Sequence, residues 1–160
     1  MRKQKGMGNK GFSLVELIIV IAIMAILIGV MAPQLLRYVE RTRISSDTQL
    51  ADSVRTAVRT AMMDPVVLND DPSVAAIQTF NAATAPANLE TLEGTEFGNA
   101  IAETLGVADD ALETVADELQ STPVTAGTAM TIQVWSIGGN DVGVQVTNSN
   151  DGAGNLITVQ

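Results

Sequence analysis

The longest apolar stretch of the chain runs through residues 17–36, twenty positions without a charged side chain. Most of its side chains are Leu, Ile, Val, Met or Ala. At about 1.5 Å per residue, a helix of this length spans about 30 Å, the thickness of the hydrocarbon core of a bilayer. The pattern therefore predicts a helix long enough to cross a membrane.

After residue 36 the pattern changes from uniformly apolar to amphipathic. The apolar residues then recur at steps of four and three, which is typical of one helical face, at Leu50, Val54, Ala57, Val58 and Ala61. The next break is Asp64-Pro65, and proline disfavours helical backbone in the residue before it. We therefore expect one continuous helix over residues 13–63.

The rest of the chain predicts a small C-terminal head of mixed structure. Helical spacing and turn residues indicate three short helices, at residues 73–80, 95–105 and 109–120. The period then changes to alternation, which is typical of half-buried strands, at residues 130–137, 142–147 and 156–160. The predicted fold class is α+β, with an antiparallel sheet of roughly three strands laid on the long helix. Trp135 is expected in the hydrophobic core.

Charge is divided unequally along the chain. All nine basic residues lie at or before Arg59, whereas fourteen of the eighteen carboxylates follow it. An acidic head of this kind repels phosphate backbones, so direct binding of DNA or RNA is not expected.

The chain contains neither histidine nor cysteine. The commonest general base and the commonest zinc ligand are therefore missing, and no disulfide can staple an extracellular part. Carboxylate chemistry remains possible, but we predict no catalytic residue, no cofactor and no bound metal. The polar turn at residues 148–155 offers a single carboxylate, Asp151, whereas calcium usually requires several hard oxygen ligands.

The first eleven residues carry four basic side chains and no acid, as the start of a secretory signal peptide does. The apolar run that follows is longer than a usual signal core, and no Ala-x-Ala-like cleavage site ends it. Glu16 stands at the head of this run. A carboxylate at membrane depth costs about 3 kcal/mol and is by default a functional candidate. The alternative is an interfacial charge that the helix dipole favours, and spacing alone leaves both interpretations open.

The sequence KGFSLVELI at residues 10–18 resembles the class III signal of type IV prepilins. The shared features are a short basic leader that ends in Gly, a Phe directly after it, and a Glu four positions beyond that Phe. The resemblance implies that a membrane prepilin peptidase recognises the leader up to Lys10 and Gly11. It would cut between Gly11 and Phe12 and methylate the new amine of Phe12. It also implies that Glu16 of one subunit neutralises this amine on a neighbouring subunit during assembly.

The resemblance covers roughly residues 1–60 and implies a homopolymer. The subunit would be a single-pass membrane protein with a cytoplasmic N-terminus, and the pilus assembly machinery of the inner or cytoplasmic membrane would add it to an extracellular filament. Gly29 and Pro33 weaken a helix, and in related filaments this stretch unwinds on assembly. We therefore expect residues 28–34 to melt in the filament, with a static kink in the membrane as the alternative.

Two further classes of function stay open at this point. The runner-up to a pilus subunit for motility, adhesion or aggregation is a pseudopilin of a type II secretion or DNA-uptake machine. The third class is a single-pass membrane protein with a binding or enzymatic head.

The polar face of the long helix also allows two interpretations. Its arginines either face solvent or meet acidic surfaces of neighbouring subunits. These arginines are Arg37, Arg41, Arg55 and Arg59.

The predicted organisation can be given in chain order. It comprises a leader peptide at residues 1–11, a hydrophobic helix at 12–36, its amphipathic continuation at 37–63, a helical and loop region at 64–128, and an antiparallel sheet at 129–160.

Overall fold

The computed structural model describes residues 12–83, 85–121, 129–139, 141–147 and 155–160. These residues form two compact units, one that ends at Val39 and a globular unit of Glu40–Gln160. The fold is α+β, as predicted, with one long N-terminal helix, several short helices and an antiparallel sheet.

Helix α1 comprises Leu14–Ala61, which agrees with the predicted helix over residues 13–63 to within two residues at each end. Its buried positions are all at or beyond Asp47, and they are Asp47, Ala51, Val54, Ala57, Val58 and Ala61. The apolar members of this set follow the steps of three and four that the sequence displays. Before residue 40, the large apolar side chains of the helix are all exposed.

Four strands form the sheet of the globular unit, in the order β1-β2-β3-β4 and antiparallel throughout. Their bounds are β1 Ala87–Asn88, β2 Thr131–Gly138, β3 Asp141–Thr147 and β4 Asn155–Val159. The last three correspond to the three predicted strands. The sequence prediction missed β1 because two residues are too few to show an alternating pattern.

One face of the sheet belongs to the hydrophobic core. Alternating residues of the paired strands lie on that face, and they share the core with the buried residues of α1: Ile132, Val134, Val142, Val144, Val146 and Ile157. The opposite face carries buried amides, with Gln145 Nε2 donating to Gln133 Oε1 at 2.7 Å and Gln133 Nε2 donating to Asn88 Oδ1 at 3.0 Å.

Trp135 lies on this opposite face and is only partly buried, so the prediction that it belongs to the core is wrong. Its partner across the ladder is Gly143. A Cβ built on Gly143 would lie 2.3 Å from the indole ring. The ring therefore covers a glycine on the second face of the sheet, and strand alternation, which places Val134 in the core, turns its neighbour away from it.

Short helices connect α1 to the sheet. They are α2 Pro65–Leu68, α3 Asp71–Ala82, a first 3₁₀ helix Leu89–Leu92, α4 Glu96–Leu105 and a second 3₁₀ helix Leu112–Glu118. Helices α3 and α4 correspond to the predicted helices at 73–80 and 95–105. The third predicted helix, at 109–120, is shorter than expected and has 3₁₀ geometry. A single helical turn, α2, directly follows the helix break that the sequence shows at Asp64-Pro65.

Side-chain caps explain where these short helices begin. Asp64 accepts a hydrogen bond from Val66 N at 2.7 Å, and Asp70 accepts one from Ser73 N at 3.0 Å. The hydroxyl of Ser73 is fully buried and accepts a hydrogen bond from Phe97 N at 3.0 Å, which joins the start of α3 to the start of α4. Each cap satisfies a backbone donor that the first turn of a helix leaves unpaired.

Two polar anchors hold α1 to the rest of the globular unit. The carboxylate of Asp47 is 1% exposed and accepts hydrogen bonds from Gln120 N and Ser121 N, both at 2.8 Å. Arg55 donates from Nε to Val142 O at 2.8 Å and from Nη2 to Asp141 Oδ1 at 2.9 Å.

The anchor at Arg55 decides one question that the sequence left open. Arg55 and, more loosely at 3.7 Å, Arg59 pair with Asp141 of the same chain. These two arginines therefore make a contact within the chain, a third possibility beside a solvated face and a contact with another subunit.

Candidate functional site

The start of α1 brings together the residues that the prepilin-like motif singles out within the described part of the chain. Helix α1 begins at Leu14, and Leu17 N donates to Ser13 O at 3.2 Å. Glu16 Oε2 accepts a hydrogen bond from Ser13 N at 2.9 Å. This is the bond that the acid of a capping box makes, in which a Glu in the first turn reaches back to the backbone amide before the helix.

The cap gives Glu16 a local role that agrees with the second of its two interpretations. A carboxylate in the first turn is stabilised by the unpaired N–H groups and by the positive end of the helix dipole. The first interpretation is not excluded, because only one of the two carboxylate oxygens accepts a hydrogen bond from a described residue. An oxygen without a partner remains able to accept a further donor.

The surroundings of Glu16 are apolar and open. Phe12 is 93% exposed, and an open groove of about 510 Å³ runs beside the carboxylate, lined by Phe12, Glu16, Leu17, Ile19 and Val20. Glu16 is the one ionisable residue of this lining. In a membrane or between packed helices such a groove has a low dielectric constant, so a single unpaired charge in it is costly and an opposite charge is strongly attracted.

Helix α1 is the only described helix that is long and apolar enough to cross a membrane, and none of the residues in its most apolar part is buried within the chain. A helix that is hydrophobic all round is stable only where lipid or other protein covers it. The site at Glu16 therefore lies on a surface that is stable only when lipid or another protein covers it.

Gly29 and Pro33 lie within the continuous helical stretch of α1, so residues 28–34 are helical in this chain on its own. A Cβ placed on Gly29 would meet nothing within 4 Å, so no packing against the described residues explains that glycine. The predicted melting concerns the assembled filament and remains a prediction.

Lys10 and Gly11 lie outside the described residues, as does most of the polar turn at 148–155 that was considered for calcium. Among the residues that are described, no group of three or more acidic side chains is arranged to hold a metal ion.

Sequence reasoning missed the part that Ser13 plays at this site. The signal was available, because Ser13-Leu14-Val15-Glu16 is a capping-box sequence directly before an apolar helical run. The same residues also belong to the prepilin-like motif, which was used to interpret them.

Comparison with known proteins finds relatives that share the N-terminal region of this chain. Residues 1–32 match the family model described as the prokaryotic N-terminal methylation motif. A type IV major fimbrial protein FimA of Dichelobacter nodosus is 40% identical over 56 residues, which cover 35% of this chain and 36% of that protein. The FimA of Dichelobacter nodosus strain VCS1703A is 34% identical over 92 residues, 57% of this chain and 56% of that protein.

A fimbrial protein of Moraxella nonliquefaciens is 42% identical over 52 residues, 32% of this chain and 34% of its own length. The chain thus spans between about a third and just over half of the length of the curated relatives it matches. No solved structure is significantly similar to it. These matches support a type IV pilin, and they confirm the resemblance that the N-terminal sequence displays.

Proposed function

We propose that this chain, with the N-terminal region of a type IV pilin, is the structural subunit of a type IV pilus and polymerises through its N-terminal helix. The subunit waits in the membrane as a single-pass protein and then enters an extracellular filament that serves motility, adhesion or aggregation. Prepilin peptidase removes the leader between Gly11 and Phe12 and methylates Phe12. The subunit has a structural role and no catalytic one.

The observation that carries this proposal is the position of Glu16 in the first turn of an exposed apolar helix. A carboxylate at such a depth costs about 2.5–3.5 kcal/mol on insertion scales. That cost is offset when a cation comes within ion-pair distance in the same apolar surroundings. Cleavage before Phe12 creates such a cation, since the new N-terminal amine is positive at neutral pH.

The partner amine belongs to a second copy rather than to the same chain. Glu16 already accepts a hydrogen bond from Ser13 N at the start of its own helix. Its own Phe12 precedes that helix start, and the open groove beside Glu16 can admit the end of another helix. The pair then fixes the register between neighbouring helices, which is the best-attested role for a desolvated ion pair.

The segment with Gly29 and Pro33 takes part in assembly by unwinding. Proline leaves one backbone carbonyl without its helical donor, and glycine lowers helix stability by about 1 kcal/mol relative to alanine. Residues 28–34 are helical in the separate chain. The proposal is that they lose helical hydrogen bonds when neighbouring subunits pack against them.

The first test is the mass of the mature N-terminus. We expect mass spectrometry of native protein to find a chain that begins with N-methylated Phe12, and we expect Gly11→Val to block its formation. A mature protein that still begins at Met1 would contradict the proposal and favour a single-pass membrane protein with a binding head.

The second test separates assembly from folding. Glu16→Ala should reduce the amount of filament recovered from cells by at least about tenfold, because the pair it removes supplies the attraction that fixes register. Asp52→Ala is the matched control, since Asp52 is an exposed acid on the same helix. Normal filament yield for Glu16→Ala would refute the assembly role, and short envelope-bound assemblies in the wild type would favour a pseudopilin.

A further inference from the structure

We propose that the globular units of successive subunits stack end to end, with Arg41 of one copy against the acidic cavity between α2 and α4 of the next. This inference rests on the proposed filament function and names a second contact, in the globular unit rather than at Glu16. Its partner is a second copy of this chain.

The acidic end of the globular unit follows the C-terminus of α1. An open cavity of about 320 Å³ lies there, with Asp64, Glu96, Glu103 and Asp109 among its lining residues. Its lining also includes the apolar side chains of Val66, Val67 and Ala100. The long side chain of an arginine fits such a lining, because its methylene groups pack on apolar surface while its guanidinium pairs with carboxylates.

Among the described residues, the lining of this cavity contains no Lys or Arg. The chain has no Lys or Arg after Arg59, and both Arg55 and Arg59 pair with Asp141. Around the cavity the exposed acids Glu96, Glu103 and Asp109 make no ion pair with a described residue. These acids are therefore available to a cation from a second copy of the chain.

The basic end is the beginning of the globular unit. Arg41 is exposed and makes no ion pair within the described residues, whereas its neighbour Arg43 lies 3.8 Å from Glu40. Twenty residues of α1 separate Arg41 from Ala61, after which the chain turns to Asp64. At about 1.5 Å per residue this is about 30 Å, far beyond the distance at which an ion pair forms. Arg41 therefore cannot reach the cavity of its own chain.

Exposed apolar side chains lie beside the acidic end. Met63, Val66 and Leu68 are each more than half exposed in the separate chain. Interfaces commonly have an apolar centre with a charged rim, and this end of the globular unit supplies both parts. The contact would cover these side chains as well as neutralise the cavity.

The symmetry of such a contact agrees with a filament. Arg41 and the cavity are different surfaces at the two ends of one stretch of helix, so their contact is heterologous. A heterologous contact repeats without closing when its rotation does not form a ring, and it then generates an open helical polymer. Opposite charge at the two ends also orients incoming subunits and disfavours the reversed orientation.

The chain has no cysteine, so introduced cysteines report this contact directly. We expect the double variant Arg41→Cys/Glu103→Cys to give a ladder of disulfide-linked multimers when its filaments are oxidised. Each single variant should give none, because a head-to-tail contact brings two different positions together. Dimers from a single variant, or the absence of a ladder from the double variant in intact filaments, would overturn the proposal.

Charge exchange tests the energetic part. Arg41→Glu should lower filament yield about fivefold or more, because its carboxylate then faces the four cavity acids. Glu103→Lys should lower the yield less, because three acids remain, and the double exchange should recover part of the yield that Arg41→Glu loses. Asp117→Lys, an exposed acid of the second 3₁₀ helix, is the matched control and should assemble normally. A double exchange no better than Arg41→Glu alone would contradict the pairing.

Failure of this inference can be told apart from failure of the proposed function. If filaments form and depend on Glu16 but tolerate both charge reversals, the end-to-end contact is wrong and the filament function stands. If the wild type forms no filament at all, the proposed function itself is wrong. Thermal unfolding of each full-length variant in detergent excludes loss of fold as the cause.

Discussion

The two parts of helix α1 belong to one continuous helix, but the apolar side chains of the first part are exposed and most of those of the second are buried. Up to Val39 its large apolar side chains are all exposed, and Ile21, for example, is 57% exposed. From Asp47 to Ala61 the buried apolar positions hold only Ala and Val, and all of them contribute to the core of the globular unit. The same backbone thus presents bulky side chains to an external partner and small ones to its own sheet.

The difference shows how side-chain size and placement decide what a helix packs against. Large apolar residues on every side favour lipid or other helices, because no single face can be turned inward. Small residues on one side let a sheet approach closely, while polar residues on the other side face water. If this division is correct, the same substitution should have different effects in the exposed part of α1 and in the globular unit.

The largest expected difference is between two isoleucines in helices. Ile101 in α4 is 0% exposed and Ile21 in α1 is 57% exposed. Ile101→Ala should lower the free energy of unfolding of the globular unit by about 3–4 kcal/mol, because it removes packed methylenes and leaves a cavity. Ile21→Ala should leave that free energy unchanged and act on insertion or assembly.

Denaturant unfolding of the full chain in detergent measures this free energy. Trp135 is the single tryptophan and sits on β2 of the globular unit, so its fluorescence reports that unit alone. An effect of Ile21→Ala as large as that of Ile101→Ala would show that the two parts of the molecule are not separable in stability.

Two glycines provide a second matched pair. A Cβ on Gly98 would lie 2.3 Å from Leu92 O, whereas a Cβ on Gly29 meets nothing within 4 Å. Gly98→Ala should destabilise the globular unit by about 2–3 kcal/mol, because a backbone atom cannot move aside as a side-chain end can. Gly29→Ala should strengthen helix α1 by up to about 1 kcal/mol.

Circular dichroism and filament yield separate the two glycine effects. If residues 28–34 unwind on assembly, Gly29→Ala will keep the monomer folded and still slow polymerisation. Faster polymerisation of Gly29→Ala would argue for a static kink instead.

Asp47 provides a third test, on the polar anchor of the globular unit. Its two oxygens accept hydrogen bonds from Gln120 N and Ser121 N. Asp47→Ala should cost about 2 kcal/mol, because it leaves two backbone donors unsatisfied. Asp52→Ala, at an exposed position one and a half turns along the same helix, should change stability by less than about 0.5 kcal/mol. Equal effects of the two variants on the denaturant midpoint would show that Asp47 is not an anchor of the globular unit.

The smallest expected effect concerns pH. The pKa of Asp141 lies below its ordinary value of 3.8 because Val142 N donates to the carboxylate and Arg55 bonds to and pairs with it. A carboxyl group with a lowered pKa stabilises the fold above its unfolded pKa, and this contribution is lost as pH falls through the lower folded pKa. Below about pH 4 the wild type should therefore lose stability more steeply than Asp141→Asn.

Glu93 gives the opposite sign and serves as the control. Its pKa is raised above 4.5 by partial burial and by the neighbouring Glu113. A raised carboxyl pKa means that the folded chain binds the proton more tightly, so this group adds stability as pH falls through its folded pKa. Melting temperatures of Glu93→Gln between pH 6 and pH 4 should fall behind those of the wild type as acid is added.

The long helix and the three longer strands could be predicted because local pattern marks each of them: a long apolar run followed by an amphipathic period in α1, and alternation in the strands. Helix α1 has 48 residues, and β2 and β3 alternate over most of their length. The motif around Phe12 and Glu16 is equally local, since all of its members are adjacent in sequence.

What could not be predicted depends on contacts between distant residues. Strand β1 exists because Ala87 and Asn88 meet Val134 and Gln133 across the sheet, and two residues have no period of their own. The pairing of Arg55 with Asp141 joins positions 86 residues apart. Trp135 does not lie in the core, because strand alternation places its neighbour Val134 on the core face and turns Trp135 to the opposite one.

The confinement of every arginine and lysine to positions up to Arg59 has a consequence for resistance to proteolysis. Proteases with trypsin-like specificity cut extended backbone after a basic residue, and exposed loops are where they cut best. The loops of the globular unit after α1 contain no such residue. Within that unit the available basic residues all lie on the helix, where Arg55 is also held by Val142 and Asp141. A protease of this class would have no cleavage site in the loops of the globular unit.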